Sequence, residues 1–132
     1  MAKLTQQMKD LIAAQQCYVA TVCADGTPNV GPKRSTRVLD DEHLVFSEIT
    51  GKQTWANVSR GSKVAIAVAD REKRVGYRFV GSAELITSGP VYDQAVEMMK
   101  KAGMNAPLKA LVKVAVEKIF NLGPPAAGEE IR

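Results

Sequence analysis

Apolar positions recur along this chain at two spacings, and the changes from one spacing to the other mark its elements. Met8, Leu11 and Ile12 fall on one helical face, and Thr5 stands where an N-cap belongs, which predicts a helix from residue 5 to about residue 16. CYVATVCA (17–24) then reads as a strand buried on both faces, closed by Asp25-Gly26, a strong hairpin signal. A second strand starts at Thr27, where Pro28 and Pro32 indicate an edge or a bulge because proline cannot donate to a ladder. It is expected to continue through residues 33–39. Asp40 and Asp41 form the next turn, and HLVFSE (43–48) is the third strand.

Residues 50–59 suit a short helix, with Thr50 as its cap and Trp55 and Val58 on an inward face. VAIAVA (64–69) is a fourth strand, and DREK (70–73) turns into a long fifth, RVGYRFVGSAELITS (74–88). In that strand Val75, Tyr77, Phe79, Ala83 and Leu85 alternate with Arg78, Ser82 and Glu84, so one face is apolar and the other polar. Gly76 and Gly81 mark bends or close backbone approach. Gly89-Pro90 opens a second long helix carrying Tyr92, Ala95, Val96 and Met99 at helical spacing, and Gly103 stops it. LVKVAVEKIFNL (111–122) is the sixth strand, and GPPAAGEEIR (123–132) forms a tail.

Six strands joined mainly by tight turns exclude a doubly wound parallel sheet, which needs a crossover helix between nearly every strand pair. The pattern is mainly β with added helices (α+β): a six-stranded antiparallel barrel in one domain.

Composition narrows the function. At 132 residues with 45% hydrophobic residues, the chain can bury a real core, and no apolar run reaches the roughly 18–20 residues of a spanning helix. The start, MAKLTQQMKDLIAAQQ, is too polar for a signal peptide, so a cytoplasmic protein without membrane association is expected. The net charge of +4 comes from cations scattered among 14 acidic residues, which suits small anions and argues against nucleic acid. Cys17 and Cys23 lie about 20 Å apart along one strand, too far for a disulfide, and with one histidine, His43, they complete no metal set.

No Ser–His–Asp set, paired-carboxylate arrangement, P-loop or GxGxxG is present, so any catalysis would be carried by a bound cofactor and no catalytic side chain is assigned. Two segments can hold an anionic group. PKRST (32–36) presents two cations and two hydroxyls. SEITGKQTWAN (47–57) takes a strand end through a Thr-Gly turn into a helix start, where Lys52, Gln53 and Thr54 can cradle a phosphate. On these grounds alone an ordinary capped helix with solvated polar residues explains the second segment better than a phosphate cradle does.

The order of motifs from GTPNVGPKRSTRVLDDEHLVFSE through TGKQTWANVSRGSKVAIAV to RFVGSAELITSGP resembles the pyridoxamine 5′-phosphate oxidase-like family of FMN-binding split β-barrels, over nearly the whole chain. The resemblance implies that Lys52 and Thr54, with Gln53 beside them, bind the FMN phosphate. It implies that Pro32, Lys33, Arg34 and Ser35 face the flavin and its ribityl or phosphate end. Ser47, Glu48 and Ile49 would line the isoalloxazine, partly through backbone groups. It also implies a homodimer with FMN at the subunit interface; the sequence permits this, with Trp55, Tyr77 and Phe79 as candidate interface or ring-stacking residues, although core packing is the commoner fate of such side chains.

One departure stands out: Gln53 occupies a position where many members carry a second basic residue. A lost charge-assisted contact there is worth about 1.5–3 kcal/mol if buried, with Arg34 and Lys33 the candidates to compensate. The expected function is an FMN flavoprotein, an oxidoreductase or electron carrier, exchanging electrons with a small-molecule or protein donor or acceptor. Oxidation of pyridoxamine 5′-phosphate itself is not expected, because the end of the chain is acidic where family oxidases are rich in arginine and histidine. The alternative is a non-enzymatic carrier or sensor holding haem, a deazaflavin or another planar ligand.

Overall fold

In the computed structural model, which describes residues 1–132, the chain runs α1 (Gln6–Ala14), β1 (Cys17–Val22), β2 (Pro28–Pro32), β3 (Arg37–Asp40), β4 (His43–Glu48), α2 (Gln53–Ser59), β5 (Val64–Asp70), β6 (Val75–Ile86), α3 (Pro90–Lys101), β7 (Ala110–Asn121) and β8 (Glu130–Ile131). Every strand pair is antiparallel, in the order β2-β1-β5-β6-β7-β4-β3, with β8 added to the far half of β7. The sheet is a split barrel, and the split lies between its two edges, β2 and β3. No helix is long and apolar enough to cross a membrane.

The helix starts follow local chemistry. Thr5 accepts the Met8 N–H at 3.3 Å while its own N–H reaches the Met8 sulfur at 3.4 Å, a reciprocal cap that fixes the start of α1. Met8, Leu11 and Ile12 then enter the main core, as their spacing predicts. α2 begins three residues later than Thr50, because Gly51 adopts φ +66 and breaks the right-handed path before Lys52. Val58 faces inward as its spacing predicts, and Trp55 does so only in part. Thr54, Asn57 and Val58 are buried, while Trp55 is only half-buried.

The second strand expected over residues 27–39 is two strands. The Thr36 N–H and hydroxyl both donate to the Lys33 carbonyl, at 3.1 and 2.8 Å, closing a turn that takes those groups out of any ladder. Residues 33–36 therefore carry the chain from one open edge of the barrel to the other. The tail also gains a strand, as Ile131 and Glu130 pair with Ile119 and Phe120, giving eight strands in place of six.

The main core lies inside the barrel, around Phe46, Phe79, Leu44, Ile66 and Val112, with α1 sealing one side. Val75, Tyr77, Phe79, Ala83 and Leu85 all pack into it, which is the face read from alternation. A smaller cluster of Val45, Ala95, Met99, Leu108 and Leu111 sits beneath α3 on the opposite sheet face. Between Val80 and Gly81 the β6–β7 register slips by one residue. There the backbones approach so closely that a Cβ on Gly81 would penetrate the Ala115 carbonyl.

Candidate functional site

The crossing segment 33–36, the end of β4 and the approach to α2 meet at the split. Lys33 Nζ lies 2.8 Å from Glu48 Oε2 and 5.9 Å from the Phe46 ring centre. Ser35 Oγ accepts the Ser47 N–H at 2.8 Å. Two side chains of the crossing segment thus strap it to the last two residues of β4. The Lys109 N–H donates to the Glu48 carbonyl at 3.0 Å, which brings the start of β7 to the same place.

α2 is held against β1 and β2 by a polar hub. Asn57, fully buried, donates to Thr21 Oγ1 at 2.9 Å and accepts from Gln53 Nε2 at 2.8 Å. Asn29 Nδ2 reaches both Thr21 Oγ1 and Thr54 Oγ1 at 3.3 Å. Of the three residues at the start of α2, Gln53 and Thr54 therefore bond within the protein, and Thr54 is 9% exposed. Lys52 is exposed and makes no capping bond. α2 has only seven residues, so its macrodipole is small, and charge at this end comes mainly from side chains.

Those charges are one-sided. Segments 29–37, 47–57 and 107–112 carry Lys33, Arg34, Arg37, Lys52 and Lys109 against one carboxylate, Glu48. Of the chain's 18 Lys and Arg and 14 Asp and Glu, the remaining thirteen of each sign cancel, so the whole excess of +4 belongs to these segments. Glu48 is spent on Lys33, and its side chain is 1% exposed. Arg37 pairs with Val45 across β3–β4, which sets it on the sheet face of the smaller cluster. Its Nη2 is buried without a hydrogen-bond partner, and burial pushes the guanidinium below its ordinary range, though an arginine stays charged. The Lys109 ammonium rests 4.5 Å from the Trp55 ring centre. A cavity of about 420 Å³ lies away from this site, between α1 and the β5–β6 turn.

The structure thus brings Lys33, Ser35, Ser47 and Glu48 into direct contact, with Ile49 half-buried where β4 ends. Pro32 ends β2, and Arg34 projects from the turn into solvent. Lys52 follows Gly51 at the same end, while Gln53 and Thr54 face the Asn57 and Asn29 network. Sequence reasoning missed Arg37, Lys109 and Asn57. Arg37 had one readable signal, a cation inside a strand whose neighbours Val38 and Leu39 are apolar. Lys109 had none, since its place depends on β7 pairing with β4.

Fold and seam together define an antiparallel split β-barrel whose open edges are joined by a basic segment. Residues 4–123 match the family model described as pyridoxamine 5′-phosphate oxidase, and the chain belongs to that family. It is similar to Group A Streptococcus HupZ, at 46% identity and a TM-score of 0.84, covering 96% of this chain and 99% of that one. It is similar at 35% identity and a TM-score of 0.78 to a candidate pyridoxamine 5′-phosphate oxidase of Lactobacillus delbrueckii, covering 89% of this chain and 93% of that one. An FMN-binding protein of Syntrophomonas wolfei, 18% identical with a TM-score of 0.73 over 89% and 84% of the two chains, shares the fold.

Proposed function

We propose that the protein is an FMN-binding flavoprotein, a homodimer acting in the cytoplasm as an oxidoreductase or electron carrier. The observation that carries this reading is the unbalanced positive charge of the segments that meet at the split, where the exposed Lys52 has no carboxylate within ion-pair distance. A phosphate monoester supplies the missing negative charge and acceptor oxygens. The FMN-binding relative of the same fold favours a flavin among phosphorylated ligands.

Within this reading Lys52 meets the phosphate as a free ammonium, and Thr54 offers its hydroxyl proton while its oxygen accepts from Asn29. Gln53 supports the turn through Asn57. Lys33, Arg34 and Ser35 border the ribityl end. Glu48 contributes by fixing the Lys33 ammonium, since its own carboxylate is shielded. Ser47 and Ile49 border the ring system with their main chain. The bound FMN would supply hydride or electron transfer at its isoalloxazine, and the surrounding cations would favour an anionic reduced state.

The second copy is assigned to the outer face of β1, β2 and β5. Tyr18 and Val22 are each 49% exposed and Val30 67%, while Ala20, Ala65 and Ala67 pair between them in register. A broad, nearly charge-free sheet face is what a partner sheet covers. Two free thiols, Cys17 and Cys23, suit a reducing compartment.

The test is an absorbance spectrum of the purified protein followed by FMN titration of wild type and Lys52→Met. Flavin bands and a weakening of about tenfold or more in the variant are expected, the loss of one charged contact. A colourless protein that ignores added FMN, or one with a Soret band, overturns the reading.

A further inference from the structure

Lys109 is an exposed lysine with no carboxylate within ion-pair distance, yet it is not free in solvent. Its ammonium lies 4.5 Å from the Trp55 ring centre, which favours one position for a side chain that otherwise samples many. Its backbone N–H is tied to the Glu48 carbonyl at 3.0 Å, so the base of the side chain is fixed too. Gly51 leaves the room it uses. A Cβ there would stand 2.7 Å from Lys109 Nζ, and the φ of +66 already favours glycine. The next residue, Lys52, places a second unpaired cation beside the same turn.

Two cations held at one turn repel each other and gain from an anion between them. The nearest carboxylate in the sequence, Glu48, is occupied by Lys33. Gln53 and Thr54 are bonded to Asn57 and Asn29, so they add no charge. We infer that Lys109 is a phosphate-binding residue that acts with Lys52 and makes the site discriminate a phosphorylated flavin from an unphosphorylated one. This inference rests on the FMN reading above. It adds a residue from β7, with Trp55 as the positioning residue that holds the ammonium in place.

The experiment compares FMN and riboflavin, which differ by the phosphate, on wild type, Lys109→Met and Lys109→Arg. Lys109→Met is expected to bind FMN about tenfold more weakly, as one charge-assisted contact implies, with riboflavin affinity unchanged within about twofold. Lys109→Arg should keep most FMN affinity, and the salt dependence of FMN binding should flatten in Lys109→Met. Unfolding midpoints of the three proteins, expected to agree, check that the fold is intact. Equal weakening for both flavins would show a structural role for Lys109, and unchanged FMN affinity would show that the phosphate does not reach it. Either result overturns the inference while the FMN reading stands. Wild type that binds neither flavin removes both.

Discussion

Lys33 and Glu48 form an ion pair of 2.8 Å between the crossing segment and the last residue of β4, with Glu48 almost wholly enclosed at 1% exposure and Lys33 at 21%. The pair closes the split of the barrel at the point where the chain passes from one sheet edge to the other. Its two halves are unequal. Lys33 can reach water if its partner is lost, whereas Glu48 cannot.

That inequality predicts an asymmetric response to substitution. Lys33→Met leaves a buried carboxylate without its cation and should destabilise by about 3–5 kcal/mol, while Glu48→Gln should cost less. The double variant should recover much of the loss. Urea unfolding of the three proteins measures it, and equal losses in both single variants would refute the burial argument.

The β6–β7 bulge gives a second prediction. Gly81→Ala drives a methyl into the Ala115 carbonyl, a backbone group that cannot swing aside, and should destabilise by about 3 kcal/mol. At Gly31 a Cβ meets nothing within 4 Å, so Gly31→Ala should be close to neutral. Thermal unfolding of the pair isolates the close approach from the general effect of removing a glycine.

The turn between β3 and β4 carries a pH dependence. Burial of Asp40 pushes its carboxyl up, but the Glu42 N–H at 2.8 Å and the His43 ring at 2.8 Å outweigh it and leave the group below the ordinary carboxylate range. A carboxyl lowered in the folded state adds stability above its unfolded value near 3.9, and that stability is lost as pH falls through the folded value. The stability gap between wild type and Asp40→Asn should be present at pH 6 and shrink progressively below about pH 4. With the side chain 53% exposed, the gap is small, and a gap that widens in acid would contradict the assignment.

The proposed subunit face can be tested without any ligand. Val30→Glu places a charge on the most exposed apolar position of the β1–β2 face, 67% exposed, where the single chain should tolerate it. Light scattering should give twice the 14.2 kDa chain mass for wild type and the single mass for the variant. A variant that remains dimeric would place the interface on another face.

Much of the fold was legible because its determinants are local. The Thr5 cap, the Asp25-Gly26 turn, the alternating faces of β6 and the α3 stripe depend on residues a few positions apart, and all stand where the pattern puts them. The break at residues 33–36 was hidden because Thr36 prefers its own backbone to a ladder, a competition that strand patterns do not display. The start of α2 was misplaced because a capping threonine is a weaker constraint than a glycine in the left-handed region.

The sequence alone determined a mainly antiparallel sheet with three helices, an apolar interior, an excess of cations and two segments, 32–36 and 47–57, able to hold an anionic group, since periodicity and composition are properties of the chain read in order. Tertiary structure decided how those cations are spent. It paired Lys33 with Glu48, left Arg37 without a partner, and brought Lys109 from the start of β7 to Trp55 and Gly51. The physical reason is that burial and pairing of charge are set by distances through space, and strands far apart in sequence become neighbours only when the sheet closes.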